Sequence, residues 1–178
     1  MQMYFESSTS GKGVWIPFPQ KDLNKLYDYI FEYNLADYAE GEEFRFTEVD
    51  FDSELVLDLE VRYNVIELNS LLLQYEQLKP HKQRIVLALL EVIGNTVNEF
   101  SVALSSLDKM ELKENVHNEY ELGQSIVSTL KELTSPSSIN PNLDYKRLGR
   151  DAIKGKAYIL TTYGALHRKA LYERKGKK

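Results

Sequence analysis

The feature that most constrains this chain is a run between residues 48 and 61 in which carboxylates alternate with apolar residues. The acids are Glu48, Asp50, Asp52, Glu54, Asp58 and Glu60, and the apolar residues are Val49, Phe51, Leu55, Leu57, Leu59 and Val61. A period of two is typical of a strand with one buried and one wet face. The wet face here is almost entirely acidic, although like charges side by side destabilise a sheet.

Two interpretations of this acidic row are open. It is either the solvated face of a half-buried sheet, or a surface that presents negative charge to a partner that normally binds nucleic acid. Alternate carboxylates on a strand lie about 6.6 to 6.8 Å apart, close to the reach between neighbouring phosphates of DNA. Four further acids precede the row: Asp37, Glu40, Glu42 and Glu43. Arg45 is the one base among them.

Charge is divided unevenly along the chain. Residues 1–60 hold 14 acids and 4 bases, residues 61–132 hold 10 and 7, and residues 133–178 hold 3 and 11. The net charges are therefore −10, −3 and +8, which together give −5. This polarity indicates different electrostatic tasks at the two ends.

Composition indicates a folded chain, since 43% of the 178 residues are hydrophobic. There is no cysteine, so neither disulfides nor a cysteine metal site are expected, and a cytoplasmic location is compatible with this. Residues 1–10 have no basic region or long apolar core, so we expect no signal peptide, and no apolar run is long enough for a membrane span.

Periodicity and capping signals predict an α+β fold built as an elongated chain of three small units. Residues 1–62 are predicted to form an acidic domain with a small sheet and a helix, including a hairpin from residues 3–5 and 14–18, a helix over 20–33, and strands over 44–49 and 55–61. Residues 63–108 are predicted to form a helical domain, with Asn64 and Thr96 as N-caps and Gly94 as a stop.

Residues 109–178 are predicted to form a mixed α/β domain with a basic tail. A strand is expected near 110–116, a helix capped by Asn118 that reaches Leu133, and a short helix from Pro141 that ends at Gly149. A strand over 157–163 and a turn at Gly164 follow, leading to a last strand or helix.

No catalytic or metal-binding pattern is found. His81, His117 and His167 lie far apart, and none has a ligand partner at helical spacing. Gly11-Lys12-Gly13 lacks the spacing of a phosphate-binding loop. We therefore expect no enzyme activity, no cofactor and no metal.

Three motifs, in order along the chain, resemble those of the ArdA-type antirestriction proteins. The sequence VWIPFP at residues 14–19 is similar to the family's early Trp-x-x-Phe-Pro element, and IELNSL at 66–71 to its central helix start. The sequence LDYKRLGRD at 143–151, followed by TTYG at 161–164, is similar to its C-terminal signature. The signature positions are Trp15, Pro19, Glu67, Leu68, Asn69, Asp144, Tyr145, Gly149, Arg150, Asp151 and Gly164.

The resemblance implies a DNA mimic carried by a mobile genetic element. Such a protein occupies the DNA-binding groove of type I restriction–modification enzymes, on their methyltransferase and specificity subunits, through ordered carboxylates. It also implies an elongated three-domain fold and a homodimer formed through the C-terminal domain.

Because the last part of this chain is basic, two alternatives stay open. The protein is then either a nucleic-acid-binding regulator of the mobile element that uses its basic C-terminal region, or a mimic aimed at another DNA-binding nuclease such as a CRISPR effector. Lys154, Lys156, Arg168, Lys169 and the tail are the residues available for contact with DNA or with an acidic partner.

Overall fold

The computed structural model describes residues 2–6, 13–32, 48–50, 54–59, 64–133 and 143–169. These residues form helices and two three-stranded sheets, so the predicted α+β class is confirmed. The chain divides into two compact units, Met1–Ser105 and Ser106–Lys178. The three-domain division and the elongated shape stay predictions.

The first unit contains a sheet with strand order β2-β1-β3. Strand β1 (Gln2–Glu6) pairs antiparallel with β2 (Gly13–Pro17), which confirms the predicted hairpin, and with β3 (Glu48–Asp50). Met3 and Ile16 are partners in the register, and both side chains are fully buried. A cis peptide bond joins Phe18 to Pro19 at the exit of β2.

The prediction of a strand over residues 55–61 is wrong for the part that the structure describes. Residues 55–59 form no ladder, and their single bridge is a parallel one between Asp58 and Thr96. The burial pattern does alternate as expected, so side-chain burial and not strand pairing produces the period of two. Residues 60 and 61, and positions 44–47 of the other predicted acidic strand, lie outside the described residues.

The described residues of the first unit also form four helices. They are α1 (Leu23–Glu32), α2 (Val65–Glu76), α3 (Pro80–Ile93) and α4 (Val97–Ser106). The predicted N-caps are confirmed, since Asn64 accepts hydrogen bonds from Ile66 N (2.9 Å) and Glu67 N (3.2 Å), and Thr96 N donates to the Glu99 carboxylate (3.1 Å). Fully buried side chains on these helices include Leu26, Leu68, Leu72, Ile85 and Phe100.

A buried amide ties the sheet to the helices. Asn69 on α2 is only 1% exposed. Its Oδ1 accepts from Gln20 N at 2.7 Å, and its Nδ2 donates to Gln20 O at 2.9 Å. Both polar groups of the side chain are therefore paired with the backbone just after the β2 strand, as a buried polar group requires.

The second unit places two helices beside an antiparallel sheet of order β4-β6-β5. A 3-10 turn (Leu107–Lys109) leads into β4 (Met110–Lys113), followed by α5 (Glu119–Leu133), α6 (Tyr145–Lys154), β5 (Tyr158–Thr161) and β6 (Gly164–Arg168). The strands at 110–113 and 158–161 confirm those predictions in part, and the last element is a strand. The charged tail from residue 170 and the loop at 134–142 lie outside the described residues.

The predicted bounds of the short C-terminal helix are wrong. Helix α6 begins after Asp144, whose carboxylate accepts from Arg147 N at 3.0 Å, and it continues past Gly149 to Lys154. Gly149 lies inside the helix and is buried. A glycine inside a helix often marks a close approach of another backbone, and that is its role here.

Two glycines let the backbones of α5 and α6 touch. A Cβ added to Gly149 would overlap the carbonyl of Glu119, and a Cβ added to Gly123 would overlap the carbonyl of Tyr145. Each glycine therefore faces the first residue of the opposite helix. Gly123 was not singled out from the sequence, although it too is a lone glycine in a helical pattern.

We predict that Gly149→Ala and Gly123→Ala each strongly destabilise the second unit. The new methyl group would meet rigid backbone and force the helices apart, at a cost of about 3 kcal/mol or more, the upper range for overpacking. Thermal unfolding followed by circular dichroism should show a loss of roughly 12 °C or more for a unit of this size.

Gly155→Ala is the matched control, because Gly155 is exposed at the end of α6 with a φ of −74°. It should lower the melting temperature by far less than either crossing variant. Equal losses in all three variants would contradict the close-contact explanation.

Candidate functional site

The described part of the acidic row, Glu54 to Leu59, alternates between exposed and buried side chains. Leu55 and Leu57 are buried at 0% and 6% exposure, whereas Val56 between them is 62% exposed. Glu54 and Asp58 are both exposed, on the same side as Val56 in this alternation. Two exposed carboxylates therefore flank the buried Leu55 and Leu57.

The corner between α3 and α4 holds this segment in place. Asp58 N donates to Asn95 O at 2.9 Å, and Asn95 Nδ2 donates to Val56 O at 3.4 Å. The corner itself is tightly defined, because Gly94 has a φ of +110° and Glu99 closes the capping box on Thr96. Asn95 was missed by the sequence reasoning; an Asn directly after the stop glycine was the available signal.

The other predicted carboxylates are described less fully. Glu48 and Asp50 lie on β3, in register with Tyr4 and Gln2 on either side of the buried Met3. The structure therefore gives their backbone positions. The remaining members lie outside the described residues: Asp37, Glu40, Glu42, Glu43, Asp52 and Glu60.

The signature residues of the first unit occupy structural positions. Trp15 packs against Tyr4 across the hairpin, with ring centroids 5.5 Å apart, and Pro19 precedes the Gln20 backbone that Asn69 holds. Leu68 is fully buried in the core. Glu67 is exposed in the first turn of α2, where a carboxylate interacts favourably with the helix dipole.

The signature residues of the second unit assemble the helix crossing. Asp144 caps α6, Tyr145 lies at the contact with Gly123, and Gly149 lies at the contact with Glu119. Asp151 forms an ion pair with Arg147, four residues earlier on the same helix, with 3.9 Å between Arg147 Nε and Asp151 Oδ2. Gly164 has a φ of +131°, and a Cβ there would overlap the carbonyl of Lys113 on the paired strand, so the turn requires glycine.

Arg150 joins the two helices by an ion pair. Its Nε lies 3.1 and 3.2 Å from the two Glu119 carboxylate oxygens, and its Nη2 lies 3.0 Å from Oε2. The hydrogen bond from Arg150 holds the pKa of Glu119 below its usual 4.5. The positive charges of Arg150, Lys146 and Lys154 lower this pKa further by smaller amounts. The same contact raises the pKa of Arg150.

A second carboxylate caps α5. Glu121 accepts from His117 N at 2.7 Å, and Glu121 N donates to Asn118 Oδ1 at 2.9 Å, which confirms Asn118 as the N-cap. The hydrogen bond from the His117 backbone lowers the pKa of Glu121 below 4.5. In the described residues of this unit, these carboxylates thus serve helix ends and the crossing.

Within the described ranges, no three His, Asp or Glu side chains are grouped so that they could hold a metal ion. No helix in that part of the chain is long and apolar enough to cross a membrane. His167 Nε2 lies 3.7 Å from Glu111 Oε2, in the cross-strand pair of β6 and β4, so these two groups form a pair without a third.

We predict that Arg150→Gln raises the pKa of Glu119 toward 4.5, the usual value, because the dominant hydrogen-bond donor is lost. A carboxyl with a depressed folded-state pKa contributes stability above its unfolded-state pKa, and this is lost as the pH falls through the folded-state pKa. The difference in stability between parent and variant should therefore be largest near neutral pH and shrink below pH 4.5. NMR titration of the Glu119 carboxyl and melting curves across pH measure the two effects.

Arg147→Gln is the control, since Arg147 is 80% exposed and its partner is Asp151 on its own helix. It should leave the Glu119 titration unchanged. An unchanged Glu119 pKa in Arg150→Gln would show that the ion pair is not the cause of the shift.

Comparison with known proteins agrees with the motifs. The model of the family described as antirestriction protein (ArdA) matches residues 4–166, which is most of the 178 residues. A search of curated proteins finds no match. The matched range includes every predicted signature position and most of both compact units. The chain therefore belongs to the ArdA antirestriction protein family.

Proposed function

We propose that this protein blocks type I restriction–modification enzymes by acting as a DNA mimic. The observation that carries the proposal is the mounting of the acidic segment. Buried Leu55 and Leu57 fix one side of the segment, and the hydrogen bonds with Asn95 fix its backbone. A substitute for DNA phosphates requires exposed carboxylates whose backbone is held in place.

The mechanism is competition for a basic groove. Phosphate contacts from Lys and Arg supply much of the affinity of a DNA-binding enzyme. Ordered carboxylates satisfy the same cations, but they present no base edges and no bond to cleave. Inhibition should therefore be independent of the recognition sequence of the enzyme, and the complex should weaken as salt rises.

The distribution of charge supports placing the proposed mimicry in the first unit. Residues 1–105 carry 18 acids and 8 bases, a net of −10, while residues 106–178 carry 9 and 14, a net of +5. Complementary potentials steer association and select partners. The acidic unit thus matches a DNA-binding groove, and the basic unit does not.

The proposal includes the remaining features that the family resemblance implies. The target surface is formed by the methyltransferase and specificity subunits, the protein is a homodimer joined through its C-terminal domain, and it acts in the cytoplasm, where its targets meet incoming DNA. It works by occupying the groove and not by catalysis, so it is not an enzyme, and a mobile genetic element benefits from it.

We predict that reversing four charges together, at Glu48, Asp50, Asp52 and Glu54, abolishes inhibition. The concentration needed for half-inhibition of a type I enzyme on unmodified DNA should rise at least about 100-fold, which corresponds to at least about 0.7 kcal/mol per site. Single reversals should change it little, because the field is spread over many groups. DNA cleavage with and without purified protein measures this effect.

A matched variant reverses four exposed acids elsewhere in the same unit: Asp28, Glu32, Glu76 and Glu91. It changes the net charge by the same amount and should keep most of the inhibition. Equal loss in both variants would show that overall charge, and not the acidic row, is responsible. Full inhibition by a folded row variant would overturn the proposal.

A further inference from the structure

The second unit carries a basic stripe on α6. Residues 143–169 contain seven bases and two acids. Lys146, Arg150 and Lys154 follow one another at intervals of four, so they lie on one side of the helix. Arg150 is engaged by Glu119, which leaves Lys146 and Lys154 about 12 Å apart along the axis, on either side of that pair.

An open cleft lies beside this stripe. It has a volume of about 460 Å³ and is lined by His117, Asn118, Glu119, Tyr120, Lys146 and Leu160. Its wall is largely apolar, with Tyr120 and Leu160 as the large side chains, and Lys146 supplies a cation. The cleft therefore combines a surface for a flat apolar group with a charge for an anion.

The aromatic ring in the cleft is held in advance of any ligand. Tyr120 is 49% exposed. Its ring meets that of Tyr145 edge to face, with centroids 5.7 Å apart and planes at 83°, and Gln124 Nε2 donates to its hydroxyl at 3.2 Å. A ring that is fixed and half exposed loses little entropy when another ring stacks on it.

We propose that this cleft binds single-stranded nucleic acid, with a base against Tyr120 and the backbone phosphates at Lys146 and Lys154. Sites for single strands combine stacking aromatic side chains with a positively charged track for the backbone. In a duplex the base faces are stacked on one another, so only the phosphates would be available to this surface. The site lies in the second unit and goes beyond the inhibition proposed above, which it does not require.

The exposed ring of Tyr120 favours a nucleic acid over an acidic peptide. Carboxylates of a peptide would pair with the lysines but would have no use for the ring of Tyr120. The contribution of the ring, measured apart from that of the cations, therefore distinguishes the two ligands.

The test is fluorescence anisotropy of a labelled 15-nucleotide oligothymidine titrated with the full chain. Tyr120→Ala should weaken binding roughly five-fold to a hundred-fold, the range for loss of one stacked base, whereas Tyr120→Phe keeps the ring and should bind within about three-fold of the parent. Lys146→Gln with Lys154→Gln should weaken binding and lower the salt dependence by roughly 1.4 in slope, about 0.7 for each phosphate contact on a single strand.

The control for charge is Lys21→Gln with Lys25→Gln, two exposed lysines of the first unit. It should bind like the parent. The proposal is overturned if the oligonucleotide does not bind, if Tyr120→Ala and Tyr120→Phe bind equally, or if a duplex of the same length or polyglutamate competes as well as the single strand.

Restriction assays separate this inference from the mimicry. Tyr120→Ala should inhibit a type I enzyme as well as the parent does, since the acidic row is intact. Loss of strand binding with unchanged inhibition supports two separate surfaces, and joint loss of both in a folded Tyr120→Ala variant overturns their separation.

Discussion

The contact between the backbones of α5 and α6 determines the arrangement of the second unit. With glycine on each side of the crossing, the helices approach until carbonyl groups meet the space that a Cβ would occupy. This closeness brings Arg150 to Glu119 and Tyr145 to Tyr120. It also lets one small core, centred on Val116, Leu122 and Ala165, be shared by the helices and the sheet. The ion pair, the aromatic pair and the core all depend on having glycine, which has no side chain, at positions 123 and 149.

Three of the residues predicted as family signature positions have structural tasks that few other residue types could perform. Asn69 satisfies a backbone amide and a carbonyl together, Gly149 gives room to a crossing helix, and Gly164 adopts a φ of +131° against a neighbouring strand. Each of these tasks suits one residue type. A field made of many carboxylates has no such requirement, because moving one charge by a residue changes the sum only slightly. Family identity and the proposed binding surface therefore fall on different residues.

The features predicted from the sequence are those with local causes. A cap involves a side chain and a backbone group three residues away, so Asn64 and Asn118 could be assigned as N-caps without a structure. The hairpin and most helix bounds follow from equally short-range patterns. By contrast, the end assigned to α6 at Gly149 was wrong because the reason for that glycine lies on another helix.

The acidic row also shows that short-range sequence patterns cannot predict contacts with distant parts of the chain. Alternation correctly indicated that Leu55 and Leu57 are buried, but a strand also needs a partner with free backbone groups, and periodicity carries no information about that partner. The α3–α4 corner takes this place through Asn95 and offers hydrogen bonds without a ladder. Sequence reasoning therefore identified which side chains are exposed, while the hydrogen bonds that hold the backbone of this segment became visible only in the structure.

The net charge of −5 is modest for a DNA mimic, but net charge is the wrong measure of what a partner meets. At physiological ionic strength the Debye length is about 8 Å, so exposed charges act mainly over that distance. A groove that closes on the first unit therefore responds to the local carboxylates of a unit with a net charge of −10. The bases of the second unit weaken this field only where they come within a few ångströms of it. Under the proposed mimicry, an acidic first unit and a basic second unit would let one chain present a nucleic-acid-like surface and a basic surface at the same time.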